Sequence, residues 1–486
     1  MRQRFDVQLK IGQTAIEDIK IPTKSRDELP PVLATLQWMF MTPELNEKIF
    51  EALEKKVNGN KKETGRKGMD LWHILVLGIV RLTLDCDYDR LEYLVHYDKL
   101  LRQIMGIDAY FSGEFGKGFH QKTIQENVCH LDAEFIEEIN QIVVLAGREL
   151  LKKKNDTKIQ AKTDTYVLES NVHFPTDLNL LWDASRKCIR LLQQLSRKHS
   201  LSGWRKAKDW EKQLKIGMRN CWQVQRGGGK NKEERLIMSV KNYLKKAYEC
   251  EAKIYKSKQE IKACSLSLTE LTLIMEIDYF HDMLITHIDL IERRLIQGEV
   301  IPHKEKVFSL FEPYTHWINK GKSCPRVELG RKIMLTTDQY DLILHHKVMD
   351  QPVDQKETMD MMDTLFKQFG ETAFDSFSFD KGFSCKDDRE ILELFIPSVV
   401  MPKKGRLTQS DKAREGHKKF KDLRKKHSAI ESNINALEHH GLNRCPDKSY
   451  FGFKRYAALG VLAYNCHKIG NQLIYREKLK LLKKAA

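Results

Sequence analysis

Segments with the period of a β-strand occur in this chain in two blocks, and a long helix-periodic stretch stands between them. Ile159 to Ser170 (IQAKTDTYVLES) is short, β-branched and roughly alternating, the pattern of a half-buried strand. From about 178 to 300 the apolar spacing is helical. Strand-like segments resume at Val327–Thr337, Tyr340–Val348, Phe374–Phe379 and Ile396–Met401, and Thr358–Phe369 between them reads as a helix. Two architectures satisfy this order. One is a single α/β core interrupted by a helical insertion; the other is three independent domains. The first is the more economical, and at 486 residues the chain exceeds the roughly 250–300 that one compact core holds.

The flanks are helical. After a weak alternation at Phe5, Val7, Leu9 and Ile11, the stretch from 32 to 150 has a helical period, with Trp72, Leu75, Val76, Ile79 and Val80 on one stripe. Polar or glycine-rich breaks fall at Gly59–Gly68 and Gly113–Gly118, and Thr123–Leu131 fits the second helix of a helix-turn-helix. Beyond Pro402 a basic helical stretch runs through Glu431 to His440, with Gly441 placed as a C-cap, and Phe451–Leu482 forms a last helix. The expected division is an all-helical N-terminal domain over 1–152, two parts of an α/β core over 153–182 and 301–443, a basic helical insertion over 183–300, and a C-terminal helix over 444–486.

The formal net charge is +16, which points to a polyanionic partner. Within 185–262 there are 22 Lys and Arg against 7 Asp and Glu, and Trp204, Trp210 and Trp222 among them either stack on unpaired bases or pack the helices that carry them. Lys403, Lys404, Arg406 and Arg424 flank the region of Glu431, and with Lys320, Lys322 and Lys381 they are candidates for phosphate contact. The ten cysteines occur singly with no C-x-x-C, so neither a zinc ribbon nor a disulfide framework is expected. No apolar run reaches membrane-spanning length and the first residues lack a secretory pattern, so the expectation is a cytoplasmic, nucleoid-associated protein. GNKKETGRK (59–67) lacks the Gly-Lys-Ser/Thr ending of a phosphate loop, which argues against nucleotide hydrolysis.

Three acids stand where chemistry is expected. Asp164 lies inside the first strand, Asp380 ends a later strand and is followed at once by Lys381-Gly382-Phe383, and Glu431 lies on the helix after the last strand. An Asp at a strand's carboxyl end with Gly behind it suits a carboxylate that projects into a site. Three such groups can converge on hard divalent ions, Mg²⁺ or Mn²⁺, and two ions about 3.5–4 Å apart stabilise both oxygens of a phosphoryl transfer.

The residues around these acids carry a resemblance. Asp164–Asp183 (DTYVLESNVHFPTDLNLLWD) resembles the first-aspartate motif of the DDE transposases of bacterial insertion sequences. Ser378–Phe383 (SFDKGF) with Val399–Leu407 (VVMPKKGRL) resembles their second-aspartate strand and the strand after it, and His427–Cys445 (HSAIESNINALEHHGLNRC) their glutamate helix. Phe451–Asn465 and Gly68–Gly106 are similar to the family's closing helix and helical N-terminal domain. The resemblance implies a ribonuclease-H-like core, a mixed sheet flanked by helices. It also implies Asp164, Asp380 and Glu431 as metal ligands, and a homodimer that binds terminal inverted repeats, cleaves the phosphodiester and joins the 3′-hydroxyl to target DNA. Relatives often carry a Tyr–Arg–Glu–Lys signature on the glutamate helix; here Arg424, His427 and Glu438 stand at the other three places. Arg424, His427 and Glu431 are spaced to share one helical face. Two other readings stay open: a ribonuclease-H-like nuclease that cuts without joining, and a DNA-binding relative without catalysis.

Overall fold

A computed structural model describes residues 2–5, 13–59, 68–107, 118–153, 156–262, 266–319 and 326–485. The chain forms two compact units: Met1–Asn171 with Ile318–Ala486, and Val172–Trp317. Residues 1–152 therefore belong with the sheet, and the unit set into the chain extends past the expected 183–300 at both ends. No helix among the described residues is long and apolar enough to cross a membrane.

The first unit opens with α1 (Leu29–Met41), α2 (Pro43–Leu53), α3 (Leu71–Thr83), α4 (Tyr88–Tyr97), α5 (Lys99–Ile104), α6 (Gln121–Val128) and α7 (Ala133–Leu151). Two prolines in the first turn of α1 occupy positions where a missing N–H costs nothing, and Asp87, Asp98 and Asp132 cap α4, α5 and α7 through their side chains. Helix α3 is buried along its whole length. Its apolar residues surround it rather than forming the single expected stripe, which is the signature of a central helix. Helix α6, on the segment expected to form part of a helix-turn-helix, leaves Lys122, Thr123, Gln125 and Glu126 exposed.

The strands follow as β1 (Ile159–Ser170), then, after the second unit, β2 (His316–Asn319), β3 (Val327–Thr337) and β4 (Ile343–Val348). The second unit is built from α8 (Asp177–His199), α9 (Ala207–Arg226), α10 (Lys232–Lys262) and α11 (Leu268–Ile291) around its own core of Leu181, Ile189, Leu192, Trp204, Tyr243 and Leu284. After β4 come α12 (Thr358–Phe369), β5 (Phe374–Phe379), α13 (Lys386–Phe395), β6 (Val399–Val400), α14 (Gln409–Gly416), α15 (Lys418–His427), α16 (Ala429–Leu437), β7 (Arg444–Cys445) and α17 (Ser449–Ala485).

Among the described residues the strands form one mixed sheet of order β2-β3-β1-β5-β6, with β4 also on β3 and β7 on β1. Strands β1, β3 and β4 are antiparallel neighbours, whereas β5 runs parallel to β1 and β6 parallel to β5. Parallel neighbours need crossovers, and α12 and α13 lie in those connections. One face of the β1–β5 pair is apolar: Ala161, Phe377 and Phe379 pack with Met361, Met362 and Leu365 of α12. The opposite face, one residue out of phase, carries Lys162 and Ser378 in register. Helix α15 packs on β5 and α16 on β1. Helix α17 is largely buried from Phe453 to Ile469 and packs against α1, α3 and α7, so the C-terminal helix is the centre of the helical layer.

Candidate active site

The three acids all lie in the first unit. Strands β1 and β5 are paired as far as Thr163 and Phe379, and the Asp380 N–H donates to the Thr163 carbonyl at 3.4 Å. The next residues along, Asp164 and Asp380, therefore sit side by side at the carboxyl end of β5, on the face that carries Lys162 and Ser378. Asp164 is partly buried, and Asp380 and Glu431 are exposed. The Thr165 N–H donates to Asp164 Oδ1 at 2.7 Å, and Asp380 Oδ2 accepts from the Gly382 N–H at 3.3 Å.

Burial pushes the Asp164 carboxyl up to about 7, and the charges of Asp380, Asp354 and Glu431 push in the same direction, against the Thr165 N–H. Asp380 and Glu431 thus lie within electrostatic reach of Asp164 in the folded chain. They surround a site without closing onto one point: among the described residues, no three of their donor atoms lie within 4.8 Å of one another. Their chemistry fits hard divalent ions, since every donor is a carboxylate oxygen and Asp164 is ionised only at a cost that a cation would relieve.

Asp354 is the acid that sequence reasoning missed. It begins a single 3-10 turn, Asp354–Glu357, ahead of α12, and a turn of that length leaves no periodic trace. Lys332 Nζ lies 2.9 and 3.0 Å from its two carboxylate oxygens, and the Thr165 hydroxyl donates to Oδ1 at 3.3 Å. A Cβ on Gly382 would collide with Asp354 Oδ2, so the glycine behind Asp380 is what admits this carboxylate. The Gly in SFDKGF was the available signal that another group approaches there.

His427 is partly buried and turned toward β5. Its Nδ1 is 3.0 Å from the Ser378 hydroxyl. Burial lowers its pKa, Asp380 and Glu431 raise it, and Lys162 lowers it. Helix α15 ends at His427 and α16 begins at Ala429, with Ser428 between them still helical in φ and ψ, so Arg424 and His427 lie in the last turn of one helix and Glu431 in the first turn of the next. Arg424 pairs with Glu415 at 3.7 Å.

Lys403 pairs with Asp411 at 2.6 Å, which occupies its charge, while Lys381, Lys404 and Arg406 are exposed. Lys403 and Lys404 line a cavity of about 630 Å³ together with Arg389, Arg414 and Gln355, the neighbour of Asp354. Lys320 and Lys322 lie outside the described residues.

Of the two alternatives for the tryptophans, Trp204 takes packing and not the base contact. It is 1% exposed, and its indole N–H donates to the Ser257 hydroxyl at 2.8 Å inside the second unit's core, so it cannot stack on a base. Trp210 and Trp222 are partly buried against the same core. Lys253 and Lys246 lie over the Trp210 ring and Arg226 over that of Trp222, at 5.2, 5.8 and 5.6 Å from the ring centroids. The basic character of this unit is outward: Lys208, Lys212, Lys215 and Arg219 fall on one exposed face of α9. Comparison of the chain with known protein families, with curated proteins and with solved structures finds no match.

Proposed function

We propose that the protein is a metal-dependent DNA transposase with a ribonuclease-H-like core, cleaving at the ends of its element and joining the freed 3′-hydroxyl to target DNA. The observation that carries this reading is the placement of Asp164 and Asp380 on adjacent parallel strands, with Glu431 and Asp354 in electrostatic reach of Asp164. The sheet order agrees with it: an antiparallel set β4-β3-β1 extended by two parallel strands. So does the resemblance of the three acidic segments to the DDE motifs.

In this reading Asp164, Asp380 and Glu431 hold the ions, and Asp354, tethered by Lys332, adds a fourth carboxylate beside them. Bound Mg²⁺ or Mn²⁺ would activate the attacking oxygen and neutralise charge on the reacting phosphate. Ser378 fixes the imidazole of His427 against the sheet, and Lys162, on the same sheet face, pairs with Asp341 at 3.8 Å. Exposed Lys381, Lys404 and Arg406, and the basic face of α9, supply phosphate contacts. In the first reaction a water oxygen bonds to phosphorus as the bond to the 3′-oxygen breaks. In the second the oxygen of that 3′-hydroxyl bonds to a target phosphorus as the bond to the target's own 3′-oxygen breaks. The target oxygen leaves as a 3′-hydroxyl with the proton given up by the attacker, so no covalent enzyme intermediate is needed.

The test is an assay of the purified chain with DNA flanking its gene, a target plasmid and Mg²⁺. Joined products are expected. Cleavage without joining would leave a nuclease, and binding without metal-dependent cleavage would overturn the catalytic reading.

A further inference from the structure

We propose that Glu28, His440 and His467 form a second metal site, selective for Zn²⁺ and its transition-metal neighbours and separate from the acid cluster. The three residues come from distant parts of one unit. Glu28 precedes α1, His440 lies at the kink in the segment Glu438–Leu442 that follows α16, and His467 lies on α17. One donor atom of each lies within 4.8 Å of the other two. Glu28 Oε2 is 2.7 Å from His467 Nε2 and 3.9 Å from His440 Nε2, and the centroids of the two imidazole rings are 5.6 Å apart. Ligand bonds of about 2.0–2.1 Å in a tetrahedron set donor atoms about 3.3 Å from one another, a value between those two separations. To hold an ion the first separation lengthens and the second shortens by about 0.6 Å each.

The surroundings prepare the His440 donor. His440 Nδ1 is 2.9 Å from the Thr83 carbonyl. A carbonyl only accepts, so Nδ1 carries the proton and the Nε2 lone pair is left on the side of Glu28. A ring nitrogen donating to a carbonyl is the usual outer support of a metal-bound imidazole. The Asn471 amide N–H donates to His467 Nδ1 at 3.3 Å, so the His467 proton sits on Nε2 against Glu28 Oε2, and a bound ion takes that proton's place. The helices are held together at this point: the Thr35 hydroxyl donates to the Cys466 carbonyl at 2.6 Å, and a Cβ on Gly470 would collide with the Pro31 carbonyl. Both His residues are half-buried while Glu28 is exposed, which gives an ion a way in.

The donor set decides the metal. Two imidazole nitrogens and one carboxylate suit Zn²⁺, Co²⁺, Ni²⁺ or Cu²⁺, whereas Mg²⁺ takes oxygen ligands. With three protein ligands a fourth position stays open to water. An ion here would clip the start of α1 and the middle of α17 to the segment leaving α16, the helix that carries Glu431.

Co²⁺ as a spectroscopic probe for Zn²⁺ tests this on the full chain after chelator treatment. The expected result is one tightly bound Co²⁺ with visible absorption stronger than that of the aqueous ion, displaced by Zn²⁺ but not by excess Mg²⁺. Glu28→Gln changes an exposed side chain and should fold; it and His467→Ala should each weaken binding more than about tenfold. Asp380→Asn should keep the spectrum, which separates this site from the acid cluster. Absence of a tight Co²⁺ spectrum overturns the proposal. So does a spectrum that disappears in Asp380→Asn and persists in Glu28→Gln.

Discussion

Asp164 and Asp380 stand one residue beyond the last register pair of two adjacent parallel strands, Thr163 and Phe379, so both carboxylates leave the sheet on one face at one end. Sequence separation of more than two hundred residues is cancelled by a single strand pairing. That relationship makes the acid site testable residue by residue.

Removing Asp380 or Glu431 should abolish chemistry and spare binding. Asp380→Asn and Glu431→Gln are expected to lower metal-dependent cleavage by at least about 10²–10³ while gel-shift affinity for end DNA changes by less than about threefold. Asp380 and Glu431 are exposed, so loss of folding should not confuse the result, and circular dichroism checks this. Wild-type cleavage by either variant would remove that residue from the site.

The pH dependence of the metal-free protein should report Asp164. An unfolded Asp titrates near 3.9, and the folded carboxyl is held up to about 7, first by burial. Between those values the native state keeps a proton that the unfolded chain has lost. This carboxyl therefore makes stability fall as pH rises from about 4 to about 7, and the penalty is complete above that. In a chelator at pH 8, Asp164→Asn should melt about 2–4 °C higher than the parent, with no such gain at pH 4. Mg²⁺ should raise the parent's melting temperature at pH 8 more than the variant's.

Ser378 should act through His427. Ser378→Ala removes the hydroxyl 3.0 Å from Nδ1 and is expected to cost about 1 kcal/mol of stability and about tenfold in cleavage rate. Ser378→Thr, which keeps a hydroxyl, should recover most of the rate. An unchanged rate for Ser378→Ala would reduce the interaction to packing.

Trp204 and the α9 surface should separate stability from DNA binding. Trp204→Ala empties the second unit's core and should cost about 3–5 kcal/mol, seen by thermal or urea denaturation. Replacing Lys208, Lys212, Lys215 and Arg219 by Ala should leave folding intact. It should flatten the plot of log affinity against log salt by about 0.9 for each phosphate that these side chains no longer neutralise. An unchanged salt slope would take the DNA off that face.

Much of the fold was legible because periodicity is local. The strands over 159–170, 327–337 and 374–379 and the helix over 358–369 could be read from alternation and apolar spacing, since a strand or helix buries one face whatever its partner is. The Gly at 441 has φ 88°, as its reading as a C-cap required. The short segment 396–401 keeps only Val399–Val400 as strand, because its length depends on what β5 offers to pair with.

What covers each face is not written in any local window. Trp204 looks the same in sequence whether it meets a base or a helix, and packing decided for the helix. Asp354 sits in a turn too short for any period, and only the approach of Gly382 and Lys332 marks it. The sequence alone determined which segments are strands and helices and where acidic and basic residues concentrate, because those follow from side-chain chemistry and chain period. Only the tertiary structure decided that Asp164 and Asp380 are neighbours, that α17 lies at the centre of the helices, and that Glu28 meets two histidines. Those contacts depend on which distant faces bury one another.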